Sequence, residues 1–151
     1  MSNLKTLVNQ LESYIANYEK VNPTVSQSSI GWHIDHSLMV INGIIDQLKK
    51  SNPEQYKWQF NWIRIFIQII NKIPRGKAKA PSFTQPTSEV SREMVIQQIA
   101  EARKSAESLL TADKNKYFTH PIFGDLQLPT AIKFLYVHSY HHEKIIKDIL
   151  Q

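Results

Sequence analysis

Apolar residues recur at alternating steps of three and four along four stretches of the chain, the spacing that gathers them on one helix face. Leu4, Val8, Leu11, Ile15 and Tyr18 form the first stripe, which ends at the Asn22-Pro23 break. A Ser/Thr-rich stretch from Thr24 to Ser29 then offers N-caps for a second stripe of Ile30, Ile34, Ser37, Ile41, Ile44 and Leu48. That stripe stops before Asn52-Pro53-Glu54, which reads as a cap, a first-turn proline and a first-turn acid. The start signal predicts a helix over Tyr56 to Lys72, although Ile63, Ile65, Ile67 and Ile69 alternate as a strand would. Pro74, Gly76, Pro81 and Pro86 deny regular structure to the loop that follows. Ser88 and Glu89 open a third helix striped by Val95, Ile99, Ala102, Ala106 and Leu109. The fourth follows Pro129 and carries Ala131, Leu135, His138, His142, Ile145 and Ile149.

None of these helices can stand alone with one apolar face, so packing the faces together is the economical solution. The expected fold is all-α, a four-helix bundle in a single domain over residues 1–151, with an extra helical segment between helices two and three. A short connection makes helices one and two antiparallel. The long connection over 52–88 is room for a crossover that sets helices two and three parallel.

Composition narrows the class. At 42% apolar and 21% charged, the chain is globular rather than disordered. The N-terminus has no apolar core of signal-peptide length, and Trp58 to Ile70 is too short and too polar to span a bilayer. A cytoplasmic location without membrane association is the expectation. Eighteen Lys and Arg against thirteen Asp and Glu leave a net charge of +5. The basic residues are spread out, with one local group at Arg75, Lys77 and Lys79 that reads as a solvated loop rather than a nucleic-acid patch. No GxxxxGK(S/T), GxGxxG or GxSxG pattern occurs.

Histidine changes the picture most. The absence of cysteine excludes disulfides, thiolate ligation and a cysteine nucleophile. The six histidines fall in three clusters: His33 and His36, then His120, then His138, His141 and His142. His138 and His142 stand one above the other, about 40° apart around a helix, on the apolar seam between Leu135 and Ile145. Two imidazoles on a seam need partners, because an unpaired buried polar group costs ~1–3 kcal/mol. An i, i+4 histidine pair is half a divalent-metal site, and one histidine from a facing helix would complete three ligands with open positions. Helix two offers that ligand in Trp32-His33-Ile34-Asp35-His36. His33 lies about 60° from the centre of its stripe and His36 about 120°, so periodicity favours His33. His141 reads as flanking, and His120, before Pro121, as a turn residue.

These residues resemble the DinB-like (YfiT-like) superfamily of metal-binding four-helix bundles. The resemblance rests on Ser-Ile-Gly-Trp-His-Ile-Asp-His at 29–36 and on His138-Ser-Tyr-His-His142. Between them, His120-Pro-Ile-Phe-Gly124 resembles an HP-x-FG loop of one subgroup. The resemblance implies an up-down-down-up bundle, common homodimers, and a divalent metal, zinc or nickel foremost and iron as a further candidate. Carried over, its ligands are His36, His138 and His142, with His33 the alternate first ligand. It also implies a small-molecule substrate, a thiol among the candidates, acted on by a hydrolase or thiol transferase. A non-catalytic helical module with a structural or vestigial metal site is the rival reading. Asp35 and Glu143 are the carboxylates nearest the histidines in sequence and are expected to be solvated surface acids.

Overall fold

The structure is a computed structural model that describes residues 2–65, 73 and 90–151. Four α-helices dominate: α1 (Ser2–Ser13), α2 (Ile30–Lys50), α3 (Arg92–Ser108) and α4 (Leu128–Leu150). Each begins or stops where local chemistry dictates. Ser29 Oγ accepts the Trp32 amide at 3.1 Å and Ser91 Oγ the Met94 amide at 3.2 Å, satisfying N–H groups that an α-helix leaves unpaired. Pro129 sits in the first turn of α4, where its missing N–H costs nothing. α3 therefore starts at Arg92 behind Ser91, later than Ser88-Glu89 suggests; those two lie outside the described residues.

The helix expected over Tyr56–Lys72 is shorter at its front. Asn52 caps only a 3₁₀ turn, Pro53–Gln55, and 56–61 are not helical. Their polar groups are drawn elsewhere: the Lys57 amide donates to Asp125 Oδ2 at 2.9 Å, and Asn61 Nδ2 to the Ile122 carbonyl at 2.7 Å. Helical backbone begins at 62–65, where Asn61 Oδ1 accepts the Arg64 amide. The remainder of that segment, apart from Ile73, lies outside the described residues, as do Arg75, Lys77 and Lys79.

A two-stranded antiparallel hairpin precedes α4, an element the stripes do not announce. β1 (Tyr117–His120) pairs with β2 (Gly124–Gln127), in register Phe118↔Leu126 and His120↔Gly124. Gly124 has φ 70°, a left-handed conformation that glycine adopts without a Cβ penalty.

Contacts between the helices set their directions. His33 meets His142 and His36 meets His138, so α2 and α4 are antiparallel. The Tyr18 side chain feels the charges of Glu93 and Arg92, and the Tyr18 carbonyl accepts the Gly31 amide at 2.7 Å. The starts of α2 and α3 thus share one end of the bundle, and these helices run parallel. Tyr14, just past α1, reaches Glu143 late in α4, which aligns α1 with α4. The arrangement is up-down-down-up. The core is continuous through all four helices, with Leu11, Ile34, Leu38, Ile41, Ile45, Ile99, Leu135 and Ile146 at 0–1% exposure. Phe118, Phe123 and Leu126 extend it under the hairpin.

Candidate metal centre

α2 is the central helix, packed against both α3 and α4. Its first two turns are consequently buried on nearly every side: from Ile30 to Leu38 only Trp32 is partly exposed. His33 and His36 are both inside, at 4% and 2% exposure. They face the second half of α4, where His142 is buried and His138 partly so.

His36, His138 and His142 converge. Each offers one ring nitrogen, and these three atoms all lie within 4.8 Å of one another. One ion with bonds of ~2 Å holds its donors no more than ~4 Å apart, so donors as far apart as 4.8 Å would draw together on binding. The donor chemistry suits a divalent ion, since neutral imidazole is a ligand for zinc, nickel and iron. His138 Nδ1 is buried without a hydrogen-bond partner among the described residues, so hydrogen bonding alone does not account for this imidazole. The residues fit a metal, and the group could hold one.

His33 stands behind this group rather than in it. Its Nδ1 is 3.0 Å from Nδ1 of His142, and its Nε2 is 3.0 Å from Ser26 Oγ. Trp32 stacks on His36 with ring centroids 5.0 Å apart and packs edge-on against His33. His141 lies edge-on to His142, outside the converging three.

His120 closes the β1 end of the hairpin. Its Nδ1 accepts the Ile122 and Phe123 amides at 3.1 and 3.2 Å, the turn chemistry expected of it. Its ring stacks on Phe123 at 4.1 Å and meets Phe134, which in turn packs on His138.

Both carboxylates differ from expectation: neither is a solvated surface acid. Glu143 is buried, accepting from Tyr14 Oη at 3.2 Å and pairing with Lys147 Nζ at 2.8 Å. Asp35 is also buried, and its Oδ1 has no hydrogen-bond partner among the described residues. Burial raises the Asp35 pKa above the ordinary carboxylate value.

The sequence model of the DinB superfamily matches residues 9–146. The chain belongs to the DinB superfamily. The matched span includes all six histidines, so the converging triad sits wholly inside the DinB domain. Neither the curated proteins nor the solved structures gave a significant match. Among the described residues, no helix of this DinB chain is long and apolar enough to cross a membrane.

The electrostatics of the centre favour uncharged imidazole. Burial, followed by the charges of neighbouring histidines, holds His138 and His142 well below the ordinary histidine pKa. Burial lowers His120 to about 4. Unfolded histidines protonate near ~6.5, so the unfolded chain takes up protons first as pH falls. Stability of the metal-free protein is thus expected to be level above pH ~6.5 and to fall from there toward pH ~4. Thermal melts in chelator across that range check it; a melting temperature unchanged down to pH ~4 would contradict it.

Proposed function

We propose that this chain is a metal-dependent enzyme of the DinB type that acts on a small molecule, as a hydrolase or thiol transferase. Its divalent ion, zinc or nickel foremost and iron as a further candidate, is held by His36, His138 and His142. The observation that carries the reading is the convergence of three ring nitrogens within 4.8 Å. Such an ion, when bound by three imidazoles with positions left open, polarises a carbonyl, acidifies bound water or accepts a thiolate. With no cysteine in the chain, any thiol comes from the substrate. The chain's own residues bind and orient. Trp32 covers His36 with its ring face, while Phe134 packs on His138 and is backed by the stacked His120–Phe123 pair.

One observation favours a non-catalytic centre. Glu143, a carboxylate adjacent to the ligand pair, is committed to Tyr14 and Lys147 and is not free to act as a base.

Cobalt(II) spectroscopy separates the two readings. A cobalt-loaded sample titrated with a small thiol is expected to develop a sulfur-to-metal charge-transfer band, because an open coordination position accepts the thiolate. A spectrum unmoved by thiol and by competing anions would mean closed coordination, and the enzyme reading would fall.

A further inference from the structure

Nδ1 of His142 is occupied, and its partner is unusual. Metal-bound histidines commonly donate their second N–H to a carboxylate, a backbone carbonyl or water. Here Nδ1 of His142 meets another imidazole, Nδ1 of His33, at 3.0 Å, and His33 Nε2 meets Ser26 Oγ at 3.0 Å. Two facing Nδ1 atoms form a hydrogen bond only when one carries a proton and the other does not. The pair therefore has two neutral arrangements. In one, His33 donates to His142, leaving the His142 proton on Nε2 and its lone pair turned toward His33. In the other, His142 donates from Nδ1 and its Nε2 lone pair faces outward.

We infer that His33 and Ser26 form a relay that locks His142 in the second arrangement, and so makes His33 a positioning residue for metal binding. This rests on the metal reading given above. His142 donates to His33, His33 donates from Nε2 to Ser26 Oγ, and Nε2 of His142 is left with its lone pair free for the ion. Each link has its own support. Ser26 Oγ already accepts the Ser28 amide at 3.1 Å, and a hydroxyl oxygen has a second lone pair for His33. Ser26 is itself placed by a turn in which its amide donates to the Asn22 carbonyl at 2.9 Å. His33 is held from both sides of its helix turn: its amide donates to the Ser29 carbonyl, and its carbonyl accepts from Ser37 Oγ at 2.8 Å. The close approach of Gly31 to Tyr18 seats this first turn of α2, since a Cβ on Gly31 would meet the Tyr18 carbonyl oxygen at 3.1 Å.

The test measures zinc affinity by competition with a chromogenic chelator, in the parent and in His33→Phe, His33→Asn and Ser26→Ala. Loss of an orienting partner weakens metal binding by about 10–100-fold, which is the expectation for His33→Phe. His33→Asn, whose amide oxygen can stand where Nδ1 was, should recover most of the loss. Ser26→Ala should fall between the parent and His33→Phe. Independently, ¹⁵N-resolved imidazole spectra of the zinc-loaded parent should show His142 protonated at Nδ1 and His33 at Nε2. That spectrum decides the matter even if His33→Phe does not fold. Parent-like affinity in a folded His33→Phe, or a His142 proton on Nε2 in the loaded parent, would overturn the relay while leaving the metal site standing. A parent that takes up no zinc would overturn both.

Discussion

Replacing His138 and His142 together by alanine is expected to take metal uptake from near one ion per chain to none, with the bundle still folded. The two residues supply two of the three converging nitrogens, and one remaining imidazole cannot fix a divalent ion against water. Folding should survive because alanine has the highest helix propensity. The cavity opened by truncation carries a cost, but the change also removes the unpartnered Nδ1 of His138, a group worth ~1–3 kcal/mol when buried unsatisfied. Elemental analysis of parent and variant, with helix content by circular dichroism, checks both halves. A folded double variant that still carries stoichiometric metal would contradict the assignment.

The second large effect is structural. Leu38 is fully buried on α2, the helix against which α3 and α4 both pack. Leu38→Ala is expected to destabilise the chain by ~2–5 kcal/mol, the range for buried leucine truncations that leave a cavity. Urea unfolding would register this as a lower midpoint with an unchanged slope. A loss below ~0.5 kcal/mol, typical of surface substitutions, would mean that α2 is not the centre of the core.

The helices and the histidine pair of α4 are readable from the stripes because one face of each helix meets the core and the other meets water. The same logic misplaces His36. At about 120° from the stripe centre it should lie near solvent, yet it is buried, because the start of α2 is enclosed on several faces. A single-stripe reading has no means of registering a helix buried all round. The resemblance, built on the whole His33–His36 segment, points to His36, and the structure places His36 in the triad and His33 behind it. Asp35 and Glu143 are misjudged for the same reason: sequence neighbours do not reveal how many helices surround a position. The hairpin is concealed differently. Its strands are four residues each, too short for alternation to register, and only the turn between them is signalled locally, by His120-Pro121 and by Gly124, whose φ is positive.

The most direct measurement is a crystal grown with zinc and probed by anomalous scattering at the zinc edge. One anomalous peak is expected, bonded to ring nitrogens of His36, His138 and His142 at the ~2.0–2.1 Å typical of zinc–histidine bonds. A peak ligated by His33 in place of His36, or no peak among these residues, would contradict this assignment.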